Sequence, residues 1–130
     1  MSIEVIATIL PIHRQLAQTG VMYMFAAAVW GLIMTWRKHP MDSSYRGILA
    51  IGYVLGDVIG LLGLTMVLAG VSPRDPIHIL YGLVTAVALP AAAIWQEQRK
   101  VGDEQKPRWY ALASLFVFGV MLRGIITATR

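Results

Sequence analysis

Residues 47–70 read GILAIGYVLGDVIGLLGLTMVLAG, an apolar run whose single charge is Asp57. At a helical rise of about 1.5 Å per residue, such a run crosses the roughly 30 Å hydrocarbon layer of a bilayer. Apolar and polar residues do not alternate in it, which excludes a transmembrane strand. Working outward, three more stretches qualify as spans, at 17–36, 77–95 and 109–128. Short connections make neighbouring spans antiparallel. The expected fold is an all-α membrane protein, a four-transmembrane-helix up-down bundle forming one domain over residues 1–130.

Composition points the same way. Of 130 residues, 57% are apolar and only 14% charged, with a mean hydropathy of +0.63. A soluble domain carries about 25% charged residues, and one of this size could not hide so much apolar surface from water. The same figures exclude disorder. There is no cysteine, which removes disulfides, thiol catalysis and thiolate-held metal or iron–sulfur centres together. The chain has no HExxH, no GxSxG, no phosphate-binding loop and no carboxylate cluster, so nothing supports hydrolytic or phosphoryl-transfer chemistry.

The net charge of +4 suggests nucleic acid until the basic residues are placed. Arg37, Lys38 and Arg46 follow the first span; Arg99, Lys100, Lys106 and Arg108 follow the third. The other side has only Arg14, Arg74 and Arg130, with Arg123 inside the fourth span. The positive-inside rule then puts both termini on the non-cytoplasmic face. The expected location is the bacterial inner membrane, multi-pass, with a lipid bilayer and no nucleic acid as partner. Trp36, Trp95 and Trp109 stand at the cytoplasmic ends, as an interfacial belt does. The N-terminal MSIEVIATIL has no basic n-region and is not expected to be a cleaved signal. Ile3, Ile6 and Leu10 recur at helical spacing, which suits a segment lying on the outer membrane surface.

Sliding the sequence over itself by 65 residues aligns Pro11-Ile12-His13 with Pro76-Ile77-His78, Ala26-Ala27-Ala28 with Ala91-Ala92-Ala93, Trp30 with Trp95 and Tyr45 with Tyr110. The clustering of these matches, more than their number, suggests a duplicated two-helix unit, residues 1–65 and 66–130. Units with an even number of spans are parallel repeats about an axis along the membrane normal. Coincidence in a biased composition is the competing explanation.

His13 and His78 are the leading site candidates. Each follows Pro-Ile at the non-cytoplasmic start of an odd-numbered span, where proline suits a first helical turn. Two neutral imidazoles facing across a bundle are the ligand set of a low-spin b-type haem, which needs no cysteine. A lone interfacial histidine is more often a solvated or capping residue. One register argument opposes the pair: from Trp30 the first span runs six residues on to Trp36, whereas the third ends at Trp95. His13 would then lie about 9 Å further out than His78 unless the first helix tilts.

Gly52, Gly56, Gly60 and Gly63 form a doubled GxxxG face. Close helix packing is its default use, and a flat porphyrin or chlorin pigment the sharper one. Asp57, beside that face, is either protonated and hydrogen-bonded or a proton or quinone site. Arg123 either snorkels outward or pairs with haem propionates near His78; an ion pair with Asp57 is disfavoured by depth. Pro90 frees the carbonyl of Ala86 and should kink the third helix. His39, before Pro40, reads as a loop residue.

With four spans, His13 opening HRQLA and His78 opening HILYG, the chain resembles small four-helix membrane cytochromes b and the four-helix halves of haem A synthase. That resemblance implies a membrane electron-transfer protein with bis-histidine haem. Two-haem members use four histidines, and this chain has three, so the resemblance implies one haem b at most. DPIHILYG followed by an alanine-rich helix also resembles small uncharacterised bacterial membrane proteins, from which no activity follows. Three functions stay open: an electron-transfer protein with one outer-side haem, exchanging electrons with quinone; a non-catalytic accessory subunit of a larger respiratory or photosynthetic complex, or a homo-oligomer; and a small transporter built on the parallel repeat with Asp57 at its midplane. Enzymatic activity of the chain by itself is not expected.

Overall fold

A computed structural model describes residues 3–73 and 75–129, with the side chain of Thr129 excepted. Arg74 and Arg130 of the charge comparison lie outside the described residues. The chain forms four helices, α1 (Ile3–Trp36), α2 (Ser43–Leu68), α3 (Ile77–Gln98) and α4 (Lys106–Thr129), and no strand among the described residues. All four are long and apolar enough to cross a membrane. α1 packs against α2 and α4, and α3 against the same two, so α1 faces α3 and α2 faces α4 across the diagonals. The α2–α3 seam is the most open and the α1–α4 seam the closest. Small buried residues make that closeness possible: Gly20, Ala27, Ala28 and Gly31 on α1, and Ala111 on α4. Methionines fill the irregular space that remains, with Met24, Met34 and Met121 joining Tyr45, Leu49, Leu89 and Val117 in one core.

Two expectations about α1 are corrected. The N-terminal segment is not a separate element; it is the first part of one helix of 34 residues, which begins at Ile3 and not at Ala17. Pro11 is therefore inside α1 and not in its first turn. It leaves the carbonyl of Ala7 without its intrahelical donor. The other spans shift by a few residues: α2 begins at Ser43, α3 runs on to Gln98 and α4 begins at Lys106.

The helix ends follow local chemistry. Asp42 caps α2, its carboxylate accepting from the Tyr45 backbone N–H at 2.8 Å. Gly70, at φ +91°, ends α2 in a Schellman turn, Val71 N–H reaching the Met66 carbonyl at 2.9 Å. α1 and α3 end in the same turn with lysine in the left-handed position, Lys38 at φ 55° and Lys100 at φ 54°. The bonds are His39 N–H to Met34 O at 2.8 Å and Val101 N–H to Gln96 O at 3.0 Å. The loops that follow are tied together: Met41 N–H donates to Asp103 O at 2.7 Å, and the Asp103 carboxylate takes Lys106 at 3.1 Å and Arg46 at 3.7 Å. The seven basic residues of these two loops thus sit at one end of the bundle, on connections bonded to each other.

Candidate functional site: a histidine pair across the bundle

At the opposite end, His13 of α1 and His78 of α3 meet across a diagonal whose backbones are not in contact. Their ring centroids are 6.2 Å apart and their planes 74° apart. The expected depth difference of about 9 Å is not realised, and the helix ends supply part of the reason. α3 continues three residues past Trp95, to Gln98, whereas α1 stops at Trp36. That halves the register difference.

Each ring is held in the same way. His13 Nδ1 bonds to the Ile59 carbonyl of α2 at 3.0 Å, and His78 Nδ1 to the Gly124 carbonyl of α4 at 2.8 Å. Both acceptors lie 46 residues beyond their histidine. A carbonyl only accepts, so each Nδ1 carries the proton. Nε2 is left without a hydrogen bond among the described residues, its lone pair free in the neutral ring. Backbone anchoring of one ring nitrogen is what orients a histidine for ligation through the other.

The small residues around the pair divide into filled and empty positions. A Cβ at Gly63 would stand 3.2 Å from His13 Cε1, so the imidazole lies on bare backbone there. Gly124 provides the corresponding clearance for His78, at 3.9 Å. Gly52 and Gly56 pack as expected, against Tyr23 and Met24 of α1 and Thr85 of α3 respectively. Gly60 does not: among the described residues nothing lies within 4 Å of its missing Cβ, and the close approach expected of it is absent there. Gly82, one turn beyond His78 on α3, has the same empty surroundings although both glycines are half-buried. Because Gly56 meets Thr85 in antiparallel packing, Gly60 and Gly82 fall near one level of the open α2–α3 seam, beside the histidines.

The other candidates stand apart from the pair. Arg123 is exposed and makes no ion pair among the described residues, so its charge leaves the bundle beside the Gly124 anchor. Asp57 is half-buried and likewise has no ion-pair partner there. It shares a helical face with Tyr53, one turn earlier. His39 is a loop residue as expected, bonding Asp42 at 3.0 Å. Thr127, missed in the sequence, is buried, donates to Gly124 O at 3.1 Å and lies 3.3 Å from His78 Nδ1. A threonine near a helix end carries no pattern that marks it, and a carbonyl acceptor carries none at all.

Whether these residues suit a haem is a question of donors and room. The described residues contain no group of three His, Cys, Asp or Glu able to hold a metal ion. Two imidazoles alone would leave a bare ion under-coordinated, whereas a porphyrin brings four donors of its own. Metal–nitrogen bonds of about 2 Å on either side of one iron put the two ring centroids about 6 Å apart. The observed separation matches that figure. The same distance also falls within the range of an ordinary edge-on ring pair. No family model, curated protein or solved structure matches the chain.

Proposed function

We propose that this chain is a small membrane electron-transfer protein that binds one b-type haem through His13 and His78. The observation that carries the reading is the diagonal histidine pair, with both Nδ1 atoms bonded to backbone and neither Nε2 hydrogen-bonded among the described residues. The bound haem would supply reversible one-electron chemistry. The protein's part is to hold two neutral imidazoles at a fixed separation, so that little rearrangement accompanies a change of charge. Gly63 and Gly124 let the rings lie close to α2 and α4, and Gly60 and Gly82 leave room for a flat group beside them. Arg123, emerging next to the Gly124 anchor, would offer a charge-assisted contact to propionates. On this reading electron exchange would take place on the outer side, at the end opposite the basic loops, with quinone as the membrane-dissolved partner.

The test is the absorption spectrum of purified protein expressed with ample haem. A reduced low-spin spectrum with split visible bands is expected, lost in His13→Ala and in His78→Ala and unchanged in His39→Ala. Binding should weaken as pH falls, because a protonated imidazole cannot ligate. A colourless wild-type protein overturns the reading and returns the chain to the role of accessory subunit in a larger membrane complex.

A further inference from the structure

The two histidine anchors differ in bond length and in the number of acceptors. His13 Nδ1 has a single acceptor, Ile59 O at 3.0 Å. His78 Nδ1 has a shorter bond to Gly124 O, 2.8 Å, and the Thr127 hydroxyl oxygen at 3.3 Å on the same N–H. Thr127 is 3% exposed, and its own O–H donates to Gly124 O at 3.1 Å, which directs an oxygen lone pair toward the imidazole. Imidazole Nδ1, carbonyl and hydroxyl thus close a three-membered hydrogen-bonded set. At the matching position of the first half, 65 residues earlier, stands Leu62, which has no polar atom to offer.

We propose that Thr127 is a positioning residue for His78, and that it makes the two imidazoles inequivalent. A second acceptor on the Nδ1 proton restrains rotation of the His78 ring about its Cβ–Cγ bond and draws electron density toward Nε2, the atom free to ligate. His13, with one acceptor, has neither effect. A hydroxyl that merely satisfied its own helix would bond the carbonyl and leave the imidazole unaffected, so the distinction lies in what the His78 N–H senses. The consequence for ligation rests on the haem reading; the hydrogen bond does not.

Nuclear magnetic resonance of the full chain, labelled with ¹⁵N-histidine, reads each Nδ1–H directly. The sample is reduced, so that any bound low-spin iron is diamagnetic, and its absorbance is recorded first. In the wild type the His78 Nδ1–H proton is expected downfield of that of His13. Thr127→Val, which keeps shape and removes the hydroxyl, should move the His78 resonance upfield and leave His13 in place; Thr127→Ser should restore it. An unmoved His78 resonance, or equal movement of both, overturns the proposal. If Thr127→Val does not fold, Thr127→Ala takes its place with the same expected upfield movement of His78 alone, and an unmoved resonance overturns the proposal. A colourless sample with the expected shifts overturns the haem and leaves the role of Thr127 standing.

Discussion

Set over one another with an offset of 65 residues, the two halves of the chain agree at the histidine end and part company at the loop end. At the first, His13 and His78 find backbone carbonyls through Nδ1 at the same sequence distance. At the second, Gly31 and Gln96 occupy matching positions, as do Tyr45 and Tyr110. In the first half the Tyr45 ring enters the space over Gly31, fully buried, and its hydroxyl donates to the Ala27 carbonyl at 3.0 Å. In the second half the matching carbonyl, Ala92, accepts instead from the Gln96 amide at 3.2 Å, and Tyr110 is only half-buried. The difference teaches that an apolar core accepts any side chain that fills the volume and occupies the polar atoms. The histidine pair has less freedom, since both rings must reach one point.

The largest expected effect tests the loop end. A Cβ at Gly31 would collide with the Tyr45 hydroxyl and stand 2.8 Å from Ala111 Cβ. Gly31→Ala should therefore cost about 1–3 kcal/mol in detergent unfolding, and Gly31→Leu should prevent assembly. Its partner in the comparison should do the reverse. Gln96 is 1% exposed, and its Oε1 has no hydrogen-bond partner among the described residues, so Gln96→Met should be neutral or stabilising. Equal losses at both positions would break the contrast.

Next in size is the pair of tyrosines. Tyr45→Phe leaves the Ala27 carbonyl without its side-chain donor and should cost about 1 kcal/mol. Tyr110→Phe should stay within about 0.5 kcal/mol, as substitutions at partly exposed positions usually do. Melting curves of the two variants side by side would show whether the halves differ as described.

The glycines of α2 sharpen the histidine end. Gly63→Ala presses on the His13 ring and, on the proposed haem reading, should lower haem content. Gly60→Ala enters open space and should raise helix stability by up to about 1 kcal/mol through reduced backbone freedom. Greater thermal damage from Gly60→Ala than from Gly63→Ala would overturn the assignment of packed and open positions.

The smallest effect concerns the cap of α2. The Tyr45 N–H, together with His39, holds the Asp42 carboxyl below the usual carboxylate range. A folded-state pKa below the unfolded one adds stability that is fully present above the unfolded value, about 3.9, and is lost as pH falls through the folded value. Unfolding midpoints should thus be insensitive to this group from neutral pH down to about pH 5 and fall only in stronger acid. Asp42→Asn, which keeps the cap without the charge, should flatten that acid limb.

Much of this architecture was legible in the residues themselves. Apolar run length decides what can cross a bilayer, so four helices and their antiparallel order followed from composition and spacing. The basic residues marked the loop end, and the repeated Pro-Ile-His marked the histidine pair. What could not be read was distance. Whether His13 and His78 share a depth depends on where α1 and α3 stop, and those stops are set by three-residue turn chemistry at Lys38 and Lys100. Gly56 and Gly60 are identical in sequence terms, yet one is packed and the other open, because packing belongs to the neighbouring helix. Arg123 had two readings, outward snorkelling or a propionate contact, and it is exposed. Thr127 and the carbonyls of Ile59 and Gly124 carried no sequence signal, because a hydrogen bond between residues 46 or 49 positions apart exists only once the helices are assembled. Local propensity and hydrophobicity are sums over a segment and survive in the sequence; the meeting of two rings in a bundle is a property of four helices at once, and only their packing decides it.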